Sequence, residues 1–204
     1  MDILKIRLLI IFFAVIPFLW CEEIDPEMVK QNLIEHYTRI ETYQADFQQA
    51  NYWQELDLKL NSSGKIFYNR SYLKLQYEDP EGQFLLLDSL YVTMYDPGSN
   101  QAIIASGSEI DIRPLAIISR YWDNSLLQSL EQVNDTTYVS LKTANDEFID
   151  LVVYDNRILE LIYADLDKNW VKYRFRNERI NAKLPTELFE VHLPEDINLI
   201  DNRQ

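Results

Sequence analysis

The sequence predicts an α+β fold that is mainly β, with a strongly curved antiparallel sheet carrying helices on its concave, apolar face. Three observations predict it. An amphipathic helical segment follows the N-terminal region, many short segments of alternating polarity follow that helix, and a helical interruption divides those segments into two groups. No linker or repeat interrupts residues 22–204, so we expect a single domain.

Residues 1–21 are predicted to be a signal peptide. Lys5 and Arg7 give a positive start, and residues 8–19 form an uncharged apolar run. That run is too short to anchor stably in a bilayer, but its length is typical of the core of a signal peptide. We therefore expect export, with cleavage near Cys21 and a mature domain in the periplasm.

Cys21 is the only cysteine, and its fate is open on sequence grounds. A lipoprotein signal requires small residues before the cysteine, whereas Leu19 and Trp20 stand there, so release is favoured over lipid anchoring. With one cysteine, an intramolecular disulfide is impossible, and the fold must depend on its core. The formal net charge of −14 argues against nucleic-acid partners, which need a basic face.

The first helix is predicted to begin at Asp25-Pro26-Glu27, which supplies an N-cap, a proline at the first turn and an early carboxylate. Apolar residues then recur at helical spacing over four to five turns: Val29, Leu33, Tyr37, Ile40 and Phe47. From residue 47 onward, alternating segments separated by Asp-Pro-containing turns indicate an antiparallel meander through residues 64–105.

The middle of the chain is predicted to be helical. Pro114 favours a short helix, and a second helix is expected from Asn124, with Leu126, Leu127, Leu130 and Val133 on its apolar side. The meander is predicted to resume at Tyr138 and to end in strands 170–176 and 188–193.

No pattern typical of catalysis or metal binding stands out. The two histidines, His36 and His192, lack metal-site spacing, and no nucleophile elbow or phosphate-binding glycine loop occurs. Asp165, Asp167 and Asn169 begin like a calcium loop, but Trp170 occupies the position that requires glycine. We expect no enzyme activity, no cofactor and no metal.

The order of the motifs resembles the bacterial outer-membrane lipoprotein carrier family of the LolA type, over essentially the whole mature length. The matching segments are Ala45-Asp46-Phe47-Gln48-Gln49, Gly64 to Tyr77 with Arg70, Asp88-Ser89-Leu90-Tyr91-Val92-Thr93-Met94-Tyr95-Asp96-Pro97 with Gln101, Pro114-Leu115-Ala116-Ile117-Ile118, and Phe189-Glu190-Val191-His192-Leu193-Pro194-Glu195-Asp196-Ile197. Ser71, Ser89 and Thr93 depart from the family pattern, as expected of a distant member.

The resemblance implies an unclosed half-barrel capped by helices around an apolar cavity. It implies a shuttle, expected to be a monomer, that takes lipoproteins by their acyl chains from an inner-membrane ABC-type releasing complex to an outer-membrane receptor. Arg70 corresponds to the arginine that controls lid opening in the family. The residues implied to line the lipid cavity are Leu33, Ile34, Tyr37, Phe47, Leu73, Leu75, Leu115 and Ile118.

Two alternatives share this fold. One is a lipid- or lipoprotein-sensing module of envelope-stress regulation, which would bind a membrane-bound regulator. The other is an outer-membrane lipoprotein receptor anchored through Cys21. A lipid-metabolising enzyme is a more distant possibility, because the sequence offers no residues with an assignable catalytic role.

Overall fold

The computed structural model describes residues 24–107 and 113–203. The predicted signal peptide and Cys21 lie outside the described residues. In the first part of the chain, helix α1 (Pro26–Thr38) precedes strands β1 (Thr42–Trp53), β2 (Leu58–Asn69), β3 (Leu73–Asp79), β4 (Phe84–Leu87), β5 (Tyr91–Asp96) and β6 (Gln101–Ser106).

The second part begins with helix α2 (Pro114–Ile117), which continues directly into a π-helical turn (Ile118–Trp122). We call these two segments together the lid. Strands β7 (Ser125–Val133), β8 (Thr136–Thr143), β9 (Phe148–Tyr154), β10 (Arg157–Ala164) and β11 (Trp170–Ile180) follow, and then a 3₁₀ turn (Thr186–Phe189) and strand β12 (Asn198–Asn202).

The twelve strands form one curved, unclosed sheet in the order β12-β6-β5-β4-β3-β2-β1-β11-β10-β9-β8-β7. Neighbouring strands are antiparallel except β12 and β6, which run parallel. Strand β1 lies between the two halves, where Phe47 is opposite Gly64 of β2 and Phe175 of β11. The predicted mainly β fold, with a curved antiparallel sheet and helices packed on one face, is confirmed.

Helix α1 begins where the sequence predicts, because the carboxylate of Asp25 accepts a hydrogen bond from the backbone N–H of Glu27 at 2.9 Å. The helix is shorter than the predicted four to five turns. It ends at Thr38 after 13 residues, which is under four turns. Phe47 therefore belongs to β1 and not to the helical repeat.

The helix expected from Asn124 is wrong, because Ser125–Val133 is the edge strand β7. It pairs with β8 along nearly its whole length, with a bulge between Leu127 and Ser129. The bulge adds one residue, so Leu127 and Leu130, three positions apart, both lie opposite inward-facing residues of β8. That spacing imitates a helix.

The strand expected at 188–193 is also wrong. Thr186–Phe189 forms a 3₁₀ turn that continues into irregular backbone. Phe189 is buried against Phe67 and Leu86 on the outer face of the sheet, and Lys74 donates a hydrogen bond to the carbonyl oxygen of Leu188 at 2.7 Å. These contacts hold the segment across β2, β3 and β4.

The inner face of the sheet carries two apolar clusters. The first joins α1 and the lid to β8, β9 and β10, and the second covers β1 to β5. Strands β2 and β3 approach closely at Gly64, where a Cβ would lie 2.1 Å from the carbonyl oxygen of Gln76. Glycine is therefore required at this position.

Candidate functional site

The lid, α1 and the inner face of the sheet surround a small apolar cavity of about 40 Å³. Pockets that hold drug-sized ligands measure about 300–1,000 Å³, so this cavity by itself is too small for an acyl chain. The cavity is lined by Tyr37, Ile40, Tyr43, Ile66, Tyr68, Leu73, Arg113, Pro114, Leu115, Ile117, Ile158, Leu161 and Phe175.

Tyr37 fixes α1 to the sheet beside this cavity. Its buried hydroxyl accepts a hydrogen bond from the backbone N–H of Ile158 at 2.8 Å. Burial raises the pKa of the Tyr37 hydroxyl, which is therefore neutral at physiological pH. The bond satisfies a buried backbone donor at the start of β10.

The lid is anchored mainly by apolar side chains. Ile117, Ile118 and Trp122 are buried in the cluster formed with α1 and the sheet. At the end of the lid, Asp123 forms a salt bridge with Lys30 of α1. Apolar packing and an ion pair in which Asp123 is half-exposed thus both contribute to holding the lid.

A buried acid lies next to the cavity wall. The Glu178 side chain is only 6% exposed, and its carboxylate accepts a hydrogen bond from the Tyr43 hydroxyl at 2.7 Å. Arg157 pairs with the same carboxylate at 3.3 Å. Burial, followed by the nearby Glu178 charge, raises the pKa of Tyr43. No pattern in the sequence predicts this cluster, because its members are far apart in the chain.

An open cleft of about 790 Å³ lies on the other side of the lid, between the lid and strands β8 to β11. Ile117 of the lid and Leu161 of β10 line both the cleft and the cavity. The cavity and the cleft are therefore neighbouring spaces that meet at these two residues.

The structure brings together some of the residues that the resemblance implied for the lipid cavity. Tyr37, Leu73 and Leu115 line it, whereas Leu33 and Ile118 are buried in the adjoining cluster. The remaining implied residues lie nearby: Ile34 packs on the cluster of α1 and the lid, and Phe47 and Leu75 belong to the cluster over β1 to β5. A role for these residues in binding lipid stays a prediction.

Within residues 24–107 and 113–203, no helix is both long and apolar enough to cross a membrane. The same part of the chain contains no group of three or more His, Cys, Asp or Glu residues that could hold a metal ion.

The family described as "Outer membrane lipoprotein carrier protein LolA" matches residues 38–192, about three quarters of the chain. This chain belongs to the LolA family. The matched part of this chain runs from the end of α1 to just beyond the 3₁₀ turn. It therefore includes the whole cavity wall contributed by the sheet and the lid.

Several solved structures match this chain at low sequence identity, and the first one described below shows the same fold. An uncharacterized conserved protein from Thermus thermophilus is 12% identical, with a TM-score of 0.53 over 87% of this chain and 100% of that one. A LolA superfamily protein from Nitrosomonas europaea is 8% identical, with a TM-score of 0.46 over 83% of this chain and 99% of that one. The MucA/MucB complex of Pseudomonas aeruginosa matches at 13% identity and a TM-score of 0.49, over 81% of this chain and 60% of that one. No curated protein matches the chain significantly.

Arg70 lies in the connection from β2 to β3, and the nearby residues Tyr68 and Leu73 line the cavity. Its side chain is 70% exposed, and its guanidinium nitrogen Nη2 lies 3.3 Å from Oε1 of Glu41, the residue just before β1. The contact of Arg70 is therefore with the sheet rim. Control of the lid by Arg70 stays a prediction.

Proposed function

We propose that this protein is a periplasmic carrier that binds lipoprotein acyl chains between the lid and the sheet. In this proposal it takes lipoproteins from an inner-membrane ABC-type releasing complex and delivers them to an outer-membrane receptor. The observation that carries the proposal is the apolar cavity beneath a lid attached mainly by three buried side chains. Membership of a family described as lipoprotein carriers supports the same function.

The closed cavity supports a carrier that also releases its cargo. Burying an acyl chain gains about 0.8 kcal/mol per CH₂, so a sixteen-carbon chain would gain roughly 12 kcal/mol if binding had no opposing cost. Here binding requires the lid to leave the cluster formed with α1. Exposing a buried Ile or Trp side chain costs about 1.5–3 kcal/mol, which reduces the net affinity.

Arg70 is the proposed control residue for the lid. In the closed form Arg70 is paired with Glu41, and both side chains are 70% exposed. Exposed pairs contribute about 0–1 kcal/mol, so Arg70 can exchange Glu41 for another acceptor at small cost. We propose that Arg70 makes this exchange with the lid during the transport cycle.

Mass spectrometry of the protein purified from its own cell envelope tests the binding function. We expect an acyl-bearing lipid or lipoprotein to co-purify in a one-to-one complex, and an N-terminus beyond residue 21. Recovery of a membrane-bound regulator without lipoprotein would indicate the sensing alternative. A lipidated Cys21 retained in the membrane would indicate the anchored receptor.

A transfer assay tests the role of Arg70. We expect the Arg70→Leu variant to accept lipoproteins but to deliver them poorly to the outer-membrane receptor. The matched control is Glu41→Gln, which removes the ion pair and leaves Arg70 available to the lid. Equal impairment by both variants would show that the loss of the Arg70–Glu41 ion pair, and not the loss of a contact between Arg70 and the lid, causes the defect. Unimpaired transfer by Arg70→Leu would contradict the proposal.

A further inference from the structure

The small cavity beneath the lid and the open cleft beside it meet at two residues that line both spaces. Ile117 projects from α2 of the lid, and Leu161 lies on β10 of the sheet; both line the two spaces. Because Ile117 belongs to the lid and Leu161 to the sheet, any displacement of the lid from the sheet separates them. The cavity and the cleft would then form one continuous groove.

The two ends of such a groove differ in chemistry. At the cavity end the walls are mostly apolar, with Ile66, Leu73 and Phe175 opposite the lid. This end suits a hydrocarbon tail, which has no hydrogen-bonding group to satisfy.

The cleft combines an apolar floor with a polar rim. Ile149 and Val171 contribute to the floor, while Asn124 and Asn145 contribute amides at the rim. A mixed surface of this kind fits the part of a lipid where the hydrocarbon chain meets oxygen-bearing groups.

Glu147 is held in a fixed position at this rim. One oxygen of its carboxylate accepts a hydrogen bond from the Tyr163 hydroxyl at 2.6 Å, and the other accepts one from the Thr143 hydroxyl at 3.2 Å. Each carboxylate oxygen can accept more than one hydrogen bond, so the group retains capacity for a ligand hydroxyl or amide.

We infer that the acyl cargo lies along this combined groove in one orientation. The methyl end of the chain occupies the cavity, and the polar end lies in the cleft, where its hydroxyl or amide donors face Glu147. Ile117 and Leu161 form the constriction that opens when the lid moves. This inference rests on the proposed acyl-chain binding and adds to it the path and polarity of the ligand.

Fluorescence quenching by brominated lipid tests the orientation. The probes are two monoacylglycerols of equal length, one with bromines near the ester and the other with bromines near the methyl end. The full chain carries either Tyr121→Trp in the cleft or Phe175→Trp in the cavity, and the signal of the parent tryptophans is subtracted. We expect the ratio of near-ester to near-methyl quenching to exceed unity for Tyr121→Trp and to fall below unity for Phe175→Trp.

The reversed pattern would overturn the orientation, and equal ratios at both positions would overturn the single continuous path. Native mass spectrometry of the same samples reports whether the probe binds at all. Absence of binding by parent and variants would overturn the proposed function and, with it, this inference. If either replacement weakens cooperative unfolding, Val171→Trp in the cleft and Tyr68→Trp in the cavity carry the same expectations.

Discussion

Ile118 is the lid residue whose truncation should most directly change the balance between closed and open forms. Its side chain is 2% exposed and packs in the cluster that joins the lid to α1 and the sheet. Replacing a buried isoleucine by alanine costs about 2–5 kcal/mol. If the open lid exposes this side chain, Ile118→Ala removes that free energy from the closed form only. Each 1.4 kcal/mol is tenfold, so even 2 kcal/mol raises the open population by about 30-fold.

The expected consequence of Ile118→Ala is tighter lipid binding, because the apparent Kd falls as the competent form becomes more populated. We expect the Kd for a fluorescent fatty acid, measured by equilibrium titration, to fall by about 30-fold or more. The matched control is Leu151→Ala, which truncates an equally buried residue of the same cluster on β9. The control should lose stability in urea without gaining affinity. If both variants lose stability alike and neither gains affinity, lid opening does not limit binding.

Three further predictions concern stability. Tyr37→Phe leaves a buried backbone N–H of β10 without its acceptor, so we expect urea denaturation to show a loss of about 1–3 kcal/mol, and a loss near zero would contradict the assigned bond. Gly64→Ala places a Cβ against the β3 backbone and should prevent folding or sharply lower the Tm, whereas an unchanged Tm would show that the strands can separate. Burial alone raises the pKa of Glu160, but Lys172 and Arg174 more than offset this and hold the pKa below its ordinary value. The contribution of ionised Glu160 to the free energy of unfolding is present above the unfolded-state pKa and is lost as the pH falls through the folded-state pKa. The free energy of unfolding of the Glu160→Gln variant should therefore decrease less than that of the parent between neutral and acidic pH.

The elements dominated by local signals were predictable from the sequence. The start of α1 depends on the Asp25 side chain and a following proline, and the start of α2 depends on Pro114. Strands with strict alternation, such as the one containing Val171 and Tyr173, were also predicted, because one face is buried and the other faces solvent.

Elements determined by distant contacts were not predictable. Strand β7 contains Leu127 and Leu130 at a helical spacing, and only its pairing with β8 through a bulge reveals the strand. The apolar Leu188 and Phe189 imitate a strand, yet they serve to cover Phe67 on the outer face. In both cases tertiary pairing overrides the local pattern.

The candidate site was predicted in part for the same reason. Tyr37, Leu73 and Leu115 were expected from the family resemblance and lie at the cavity, and their role in binding lipid stays a prediction. The meeting of Ile117 and Leu161 depends on how the lid rests on β10. The buried Glu178 was missed because its partners, Tyr43 and Arg157, are 135 and 21 residues away.

The central position of β1 has a consequence for how the molecule is made. Tyr43 pairs with Ile180, so the first strand of the sheet is completed by one of the last. Contacts of such long sequence separation form slowly, because the chain must first close a large loop. Until β11 is in place, β1 and β10 each present an unpaired edge, and the apolar inner face has two unjoined halves. A polypeptide shortened before Trp170 would therefore be prone to aggregation, and the cavity between the lid and the sheet would form only in the final stage of folding.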